Sequence, residues 1–374
     1  MDFDLSDDQR LLKDSVDRLM AETYGFEQRR AHMAQPDGWS RGSWAQFAEL
    51  GLLGVTLPEA QGGFGGGLVE AMLVADAFGR SLVVEPYFAH AVLCAGLLRH
   101  AAEASVQDEM LPVLAAGESL FAFAHHERAA RHCLSHVETT ARLGEAGFVL
   151  EGRKSLVLHG DCADRLIVSA RLSGGMRETE GIALFLVDAA ATERRGYATQ
   201  DGLRAAEITL DGVIAEVVLG LDAWPGLSRA VDEASAFLCA EAVGAMDALL
   251  ALTVEYMKTR RQFGRAIGEF QVLQHRAVDM QVQLELARSM ALYATMMAAD
   301  PDEETRSRAI SAARVQIGRS LRHVSEEAIQ LHGGIGMTME YRAGHYLKRL
   351  AMIEKSFGDT EAHLDRLAAM GTAW

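Results

Sequence analysis

A chain of 374 residues exceeds the size of a usual single hydrophobic core, which favours two or three packed units. With 49% hydrophobic and 24% charged residues, the composition is that of a globular protein and excludes a disordered one. The net charge of −16, without any basic run or stripe, argues against nucleic acid as a partner, although a few arginines suffice for a local anion pocket.

The cysteines and the apolar runs indicate in which cellular compartment the protein is expected. The most apolar run, 240–253, is interrupted by Glu241 and Asp247, and we expect it to be too short to span a bilayer. The N-terminus is acidic and amphipathic, unlike a signal peptide. No CxxC or zinc spacing joins the four cysteines, which predicts reduced thiols in a cytoplasmic protein without membrane association: Cys94, Cys133, Cys162 and Cys239.

Residues 1–118 are predicted to be helical. Ser6 is a suitable N-cap for a first helix that carries Leu12 and Val16 at helical spacing. The glycine run 62–67 lacks the Lys-Ser/Thr of a Walker motif and follows no predicted strand, so we expect a tight loop between helices and no phosphate site. The further helices are expected at about 40–53, 68–78, 86–100 and 105–116.

The sequence between residues 119 and 226 changes to short segments rich in β-formers. Gly, Asp and Ser turn residues separate these segments, which predicts an antiparallel β domain of about a hundred residues. The segments are Phe148–Gly152, Ser155–Leu158, Leu166–Val168, Ala183–Val187 and Glu207–Leu210.

Residues 227–374 return to long helices, expected at 231–259, 270–298 and 305–331. A helix that is apolar on more than one face must be buried on more than one face. The second of these helices is apolar nearly all round, which predicts a helical bundle whose outer surface meets another subunit: Met280, Val282, Leu284, Leu286, Met290, Leu292 and Met296.

Two groups of residues in this last segment indicate nucleotide binding. Basic, amide and glycine positions at the ends of long helices suit the phosphates and adenine of a nucleotide. Arg260 can fork onto a diphosphate, and adjacent glycines let a backbone approach a ligand closely. The candidate contacts are Arg260, Phe263, Gln271, Gln330, Gly333 and Gly334.

These features together resemble the acyl-CoA dehydrogenase family over nearly the whole chain. Residues 51–80 resemble the N-terminal block of that family, and 152–154 resemble its Gly-x-Lys turn. The resemblance extends to the RxxFG motif that begins at Arg260 and the QxxGGxG motif that begins at Gln330. Within the family the chain is similar to the small subunit of pimeloyl-CoA dehydrogenase and to heteromeric steroid-type acyl-CoA dehydrogenases.

The resemblance implies a mostly α fold with a central β domain and a C-terminal four-helix bundle. It implies FAD as cofactor, an acyl-CoA thioester as substrate and electron-transfer flavoprotein as electron acceptor. In the family reaction a Glu removes the proton α to the thioester carbonyl, and a hydride passes from the β carbon to the flavin. The back helices of one subunit cover the adenine and pyrophosphate of a neighbour's FAD.

The chain departs from the family at both positions known for the base. Where many members have Tyr-Glu-Gly-Thr, alignment puts Phe357 or, one residue along, Gly358 in place of the Glu. Other members carry the Glu on the long helix before Arg260, and an ungapped count reaches Ala234 there. Asp359 and Glu233 are the remaining candidate substitutes, each with the alternative role of a helix-start or solvated carboxylate.

The positions that face the flavin ring depart as well. The family's Thr-Glu-Pro is His126-Glu127-Arg128 here, and the Ser of its Gly-Ser-Asp is His132. Leu156 and Leu158 replace the Trp and Thr of the Trp-Ile-Thr strand, so the hydrogen-bonding group is lost. The nearby histidines fit no zinc spacing, and we expect no metal at His125, His126, His132 and His136.

Three hypotheses remain open from the sequence. The chain is a non-catalytic subunit that completes the FAD site of a catalytic partner in an α2β2 heterotetramer. Alternatively, it is a self-sufficient homotetrameric acyl-CoA dehydrogenase that uses Asp359 or Glu233 as base. In the third hypothesis it is a scaffold pseudoenzyme that binds neither flavin nor acyl-CoA.

Overall fold

The computed structural model of the chain describes residues 4–371. These form two compact units: the first contains the residues up to Arg30, Leu68–Val83 and those from Ser235 onward, and the second contains Ala31–Gly67 and Val84–Ala234. The predicted domain boundaries at 118/119 and 226/227 stay predictions, because compact units and sequence segments divide a chain by different criteria.

The helices of the described residues lie mainly before and after a β region, as the sequence predicts for a mostly α fold with a central β unit. In chain order they are α1 Asp7–Thr23, α2 Phe26–Met33, α3 Arg41–Glu49, α4 Leu68–Ser81, α5 Ala95–Ala101, α6 Ala104–Ala116, α7 Trp224–Thr259, α8 Gln271–Met297, α9 Glu303–His332, α10 Ala343–Lys355 and α11 Thr360–Ala369. A π-helical segment, Phe88–Cys94, leads into α5.

The helix starts follow their capping residues. The Ser6 hydroxyl accepts a hydrogen bond from the Gln9 amide, and the Gln9 side chain accepts one from the Ser6 amide, which completes a capping box at α1. The N-caps of α3, α9 and α11 are Ser40, Asp302 and Asp359. Each of these side chains accepts a hydrogen bond from the backbone amide three residues further on.

The glycine run 62–67 forms a tight loop. The amides of residues 62–66 donate to carbonyls between residues 54 and 59, so these amides are already used. A Cβ on Gly63 would lie 2.1 Å from the Leu57 carbonyl oxygen, which explains why only glycine fits there. The run therefore forms the tight loop between helices that its sequence predicts.

The second unit is built on one eight-stranded sheet with the order β6-β7-β3-β2-β4-β5-β8, and β1 also pairs with β4. The sheet is mixed, because β1 runs parallel to β4, so the expectation of a purely antiparallel domain was wrong. The strands are β1 Phe121–Ala124, β2 Thr140–Gly144, β3 Gly147–Leu158, β4 Arg165–Arg171, β5 Ile182–Asp188, β6 Glu193–Ala198, β7 Arg204–Ile214 and β8 Val217–Gly220.

The first unit contains the C-terminal helices and a small hairpin of β9 (Arg261–Gln262) and β10 (Arg265–Ala266) after α7. Helix α8 has two apolar faces. At about 100° per residue, five exposed residues fall within roughly an 80° arc, opposite the buried face that includes Met280 and Leu284. We call this exposed set the α8 stripe: Val278, Val282, Leu286, Tyr293 and Met296.

Helix α7 is longer than the sequence reading allowed. It runs for 36 residues and is the helix that, among the described residues, is long and apolar enough to cross a membrane. The expectation that this run is too short was therefore wrong. Of its most apolar window, 72% is buried inside the fold, and a buried core helix meets the same criteria, so the length is weak evidence for a span.

Two glycines set the crossing of α4 and α7 within the first unit. A Cβ on Gly79 would lie 2.0 Å from the Glu241 carbonyl oxygen, and a Cβ on Gly244 would lie 2.0 Å from the Asp76 carbonyl oxygen. The two backbones therefore touch directly, and neither helix can carry a side chain at the crossing. This reciprocal contact explains the glycine in the otherwise apolar run of α7.

We expect Gly244→Ala to destabilise the protein by about 1–3 kcal/mol, because the methyl group overpacks a backbone contact that has no flexible neighbour. Gly42→Ala in α3 is the control, since its Cβ would meet only the Ser40 hydroxyl at 3.6 Å. That change should stabilise by up to about 1 kcal/mol. Urea unfolding of both variants measures the difference, and equal midpoints would contradict the account.

Candidate functional site

An aromatic cluster joins the end of α7 to the end of α9. The rings of Tyr256 and His332 have centroids 4.6 Å apart, and Tyr341 packs against His332 at 5.1 Å. His332 Nδ1 donates to the Ala328 carbonyl oxygen at 2.8 Å. Burial lowers the pKa of His332, so the ring is neutral and acts as a packing group. Arg260 follows Tyr256 by one helical turn, and Gly333 directly follows His332. Because the Tyr256 and His332 rings are in contact, the two nucleotide motifs begin at the same corner of the bundle.

The predicted nucleotide contacts at this corner are solvent-exposed. Phe263 is 92% exposed and has a left-handed backbone, with φ of 54°. Arg260, Gln271 and Gln330 are also exposed. No residue of the described chain, 4–371, gives the Arg260 guanidinium a hydrogen bond or an ion pair. A permanently charged fork without a protein partner is suited to an anion supplied from outside the chain.

The adjacent glycines leave open space beside the backbone. Gly333 has φ of 61°, and a Cβ at Gly333 or Gly334 would meet no atom within 4 Å. The left-handed backbone accounts for the glycine at Gly333, whereas no atom of the described residues fills the space beside Gly334. This open space would allow the close approach of an external group.

A buried arginine holds the turn after α10, where many acyl-CoA dehydrogenases carry the base. The Arg314 Nη2 atom donates to four carbonyl oxygens around this turn. The oxygens are those of Ile353 at 2.8 Å, Glu354 at 3.3 Å, Ser356 at 2.8 Å and Gly358 at 3.1 Å. The backbone of the turn is thus fixed by a side chain that has no part in proton transfer.

The turn carries no side chain free to act as a base. Phe357 has φ of 55° and Gly358 has φ of 113°, where a Cβ would lie 3.1 Å from His363 Nε2. Asp359 accepts from the Ala362 amide at 3.0 Å as the cap of α11 and pairs with Lys355 at 2.9 Å. Asp359 is therefore already engaged as a helix cap and as an ion-pair partner.

Glu233 is buried in a charged cluster of the second unit. Its oxygens contact Arg99 Nη2 at 2.5 Å, His100 Nε2 at 2.8 Å and Arg229 Nε at 3.5 Å. Burial alone would raise the pKa of Glu233, but the hydrogen bond from His100 and the charge of Arg99 outweigh it and lower that pKa. Glu233 therefore has a structural partner set that opposes a role as base.

The flavin-ring positions lie on β3, beside an irregularity in its pairing with β7. The register shifts between Lys154 and Val157, and Leu156 in that interval has φ of 52° and is 41% exposed. Val157 is buried and Leu158 is half-buried. The exposed position therefore offers an apolar side chain, and neither leucine can donate or accept a hydrogen bond.

A buried ion pair stabilises this part of the sheet. This pair was not predicted from the sequence. Lys154 is fully buried, and its Nζ donates to Glu127 Oε1 at 2.8 Å, to the Ser169 hydroxyl and to the His125 carbonyl oxygen. Glu127 also accepts from the Thr139 amide and hydroxyl. Burial alone would raise the pKa of Glu127, but the Lys154 charge outweighs it and lowers that pKa to about 2.

The four histidines of this region do not group as a metal site in the described residues. His125 Nδ1 contacts the Ser169 hydroxyl at 2.9 Å, and burial lowers the pKa of His125 to about 3. The structure instead brings ligand atoms of Glu127, His136 and Glu138 within 4.8 Å of one another. Because Lys154 and three further donors already occupy the Glu127 carboxylate, a cation would have to displace an ammonium group.

We expect Glu127→Gln to cost roughly 3 kcal/mol at neutral pH, because it leaves the buried Lys154 without a countercharge. The folded pKa of Glu127 lies below its unfolded value near 4.5, so the wild-type advantage is present above pH 4.5. It should shrink as the pH falls toward 2. Urea unfolding across this range measures it.

Glu138→Gln is the matched control, since Glu138 is a half-exposed carboxylate paired with His136. Its effect should stay below about 1 kcal/mol at all pH values. A Glu127→Gln penalty that is the same at pH 7 and at pH 3 would contradict the assigned ion pair.

Comparison with known proteins gives matches at both ends of the chain. The family model "Acyl-CoA dehydrogenase, N-terminal domain" matches residues 6–118, and "Acyl-CoA dehydrogenase, C-terminal domain" matches 224–371. The chain is similar to acyl-CoA dehydrogenase IpdE2 of Mycobacterium tuberculosis, with 31% identity over 344 residues, 92% of this chain and 91% of that protein.

Two solved structures have the same fold. A glycine-to-alanine variant of the steroid ACAD Tcur3481-Tcur3483 gives a TM-score of 0.88 at 28% identity, covering 97% of both chains. The ChsE4-ChsE5 complex from Mycobacterium tuberculosis gives a TM-score of 0.87 at 23% identity, covering 100% of both chains. At the lower identity, the second match establishes the fold alone.

The FAD cofactor of the family can be tested against the residues present. FAD carries a diphosphate, and the unengaged Arg260 guanidinium together with the open backbone at Gly333 and Gly334 suits that part of it. The tail positions therefore fit FAD. The chain belongs to the acyl-CoA dehydrogenase family of flavin-dependent oxidoreductases, with FAD as the cofactor.

Proposed function

We propose that this chain is the non-catalytic subunit of a heteromeric acyl-CoA dehydrogenase. It lends Arg260 and its neighbours to the FAD of a catalytic partner and lacks a base of its own. The observation that carries the proposal is the contrast between two sets of residues. The tail positions are exposed and unengaged, whereas each candidate carboxylate is held by capping or ion pairing.

The α8 stripe supports a neighbouring chain. Five large apolar side chains on one side of a long helix are exposed while the opposite side is packed in the bundle. Apolar patches of this kind on a soluble surface mark interaction sites. The stripe belongs to the helix that begins at Gln271, so an occupant of the stripe would also come close to a predicted nucleotide contact.

The partner proposed is a second acyl-CoA dehydrogenase subunit in an α2β2 heterotetramer. Two structurally similar proteins are each named as a combination of two components: Tcur3481 with Tcur3483, and ChsE4 with ChsE5. The steroid named for the first relative, and the resemblance of this chain to pimeloyl-CoA dehydrogenase, favour an acyl-CoA thioester with a steroid or dicarboxylyl acyl group as the substrate. Electron-transfer flavoprotein as acceptor and a cytoplasmic location rest on family resemblance.

The division of labour follows from the chemistry. Bound FAD supplies the hydride acceptor for the β carbon of the thioester. The residues of this chain would contribute binding. Arg260 would neutralise the diphosphate, the glycine pair would admit it closely, and Gln271 would offer its amide to the phosphate or ribitol part, with Gln330 as a further amide. Proton abstraction requires a free carboxylate, which the proposal assigns to the partner subunit.

The self-sufficient alternative would need Asp359 or Glu233 to release its partners before it could accept a proton. Asp359 would give up the cap of α11, which costs about 1 kcal/mol. Glu233 would give up Arg99 and leave that guanidinium without this countercharge in a buried cluster. Both penalties oppose this alternative, and the engaged state of the two carboxylates favours the subunit proposal.

Arg260→Ala should reduce the flavin content of the co-purified complex. Loss of a charge-assisted contact to a diphosphate weakens binding by about 10- to 100-fold. Arg261→Ala is the matched control, because Arg261 is an adjacent exposed arginine on β9 and is expected to change FAD affinity less than about 2-fold. Absorbance of released flavin per complex is the measurement. Equal flavin contents in the two variants would sink the proposed role.

Phe357→Glu tests whether the base is the only catalytic group that this chain lacks. The Arg314-held backbone would accept the new carboxylate, yet we expect the lone chain to remain without turnover, since Leu156 and Leu158 still face the ring positions. Phe357→Gln is the control of equal size. Dehydrogenation of straight-chain, dicarboxylyl and steroid-side-chain acyl-CoA thioesters by the Glu variant alone would show instead that the flavin face is intact.

A further inference from the structure

Three large apolar side chains are exposed directly after the glycine pair, and the cofactor contacts described above do not use them. Ile335 is 42% exposed, Met337 is 74% exposed and Met339 is 50% exposed. We call these three residues the Met337 patch. Clusters of large apolar side chains on the surface of a soluble protein mark interaction sites. The patch is therefore a candidate contact surface within the first unit.

The backbone that presents the patch is held in place by hydrogen bonds. Gly333–Met337 form a short 3-10 helix, and the Thr338 amide and hydroxyl both donate to the Ile335 carbonyl oxygen, at 3.1 and 3.0 Å. His345 Nε2 on α10 donates to the Met339 carbonyl oxygen at 3.0 Å. The three side chains are thus presented on an ordered segment, and a partner would not have to order it on binding.

Two glycines explain why the larger side chains of this segment face solvent. A Cβ on Gly336 would lie 3.0 Å from His332 Cβ, and a Cβ on Gly344 would lie 3.0 Å from the Gly336 carbonyl oxygen. The backbone itself fills the corner between α9 and α10, so there is no room for a side chain inside it. Ile335 and Met337, on either side of the buried Gly336, are exposed instead.

Polar and charged groups lie beside the patch. Glu340 and Arg342 are exposed, and Lys348 Nζ lies 3.0 Å from the Met339 sulfur. An apolar centre with a polar rim is the usual composition of a protein–protein interface. Methionine side chains are flexible and polarisable, so they adapt their shape to a partner surface.

The place of the patch in the chain indicates what covers it. Each residue of a 3-10 helix advances about 2 Å, so Met337 lies only about 6 Å along the helix axis from Gly334. Under the proposed function, Gly334 meets the diphosphate of an FAD that the catalytic subunit holds from the other side. The protein surface that holds this FAD is then within reach of Met337, and the catalytic subunit is the occupant that this geometry favours.

We propose that the Met337 patch is the anchor by which this chain docks on the catalytic subunit, next to the diphosphate of that subunit's FAD. The proposal rests on the proposed function and names a contact surface for it. The surface opposite the patch is an apolar recess with polar groups at its edge. The patch supplies subunit association and Arg260 supplies the cofactor contact, so mutations separate the two roles.

Met337→Glu tests the anchor, because it places a charge in the apolar centre of the patch. It should weaken assembly of the full-length two-subunit complex by at least about 10-fold, as at a central interface position. Met337→Leu keeps the side chain apolar and should assemble like the wild type. Met176→Glu is the matched control, since Met176 is a 55% exposed methionine between β4 and β5, and it should change assembly less than about 2-fold. Sedimentation of the complex over a dilution series is the measurement.

Flavin content of the assembled fraction separates docking from cofactor binding. Met337→Glu should keep the wild-type amount of FAD per assembled complex, whereas Arg260→Ala should lower it. Unchanged assembly of Met337→Glu, together with the lower flavin content of Arg260→Ala, would overturn the anchor and leave the proposed function standing. Failure of the wild-type chain to assemble with a second acyl-CoA dehydrogenase subunit would overturn both. A lone-chain dimer that Met337→Glu dissociates would show that a second copy covers the patch, which also overturns the proposal.

Discussion

The buried guanidinium of Arg314 fixes the turn on which the interpretation of this chain depends. One nitrogen holds four backbone carbonyls between Ile353 and Gly358, so the shape of the turn does not depend on the side chain at 357. A family member can therefore lose its carboxylate here and keep its fold. The left-handed backbone of Phe357, at a cost of about 1–2 kcal/mol, is maintained by the same contacts.

The two units of the chain differ in which of the predicted cofactor-contacting positions keep suitable side chains. In the first unit the positions predicted for the FAD tail are exposed, and the Arg260 guanidinium has no hydrogen bond or ion pair among the described residues. In the second unit the ring positions are apolar, and the nearby charged groups are consumed in structural networks around Lys154 and Glu233. A carboxylate that already neutralises a cation is stabilised in its charged form, so buried carboxylates in this chain do not imply catalysis.

The sequence predicted the long helices well, because apolar periodicity over thirty residues leaves little ambiguity. α8 and α9 begin and end within two residues of expectation. It missed β1, β2, β6 and β8, which are short or largely polar, and the parallel pairing of β1 with β4 has no local signature. The glycine run 62–67 forms the tight loop that its turn-favouring composition predicts.

At the candidate site, sequence comparison could identify which residue types are absent but not what the remaining ones do. Glu233 and Asp359 looked equivalent as carboxylates near the expected positions. Only their contacts, with Arg99 and His100 in one case and with Ala362 and Lys355 in the other, separate structural carboxylates from free ones. The Lys154–Glu127 pair has a possible hint in the Gly-x-Lys turn, yet its carboxylate partner lies 27 residues away along the chain.

We propose that this chain holds half of a flavin site and no base of its own. The FAD content and acyl-CoA dehydrogenase turnover of the chain purified alone, compared with the chain co-purified with its catalytic partner, test this directly. The lone chain should contain little FAD and show no turnover, whereas the complex should contain FAD and turn over. Full FAD occupancy with turnover from the lone chain would contradict it.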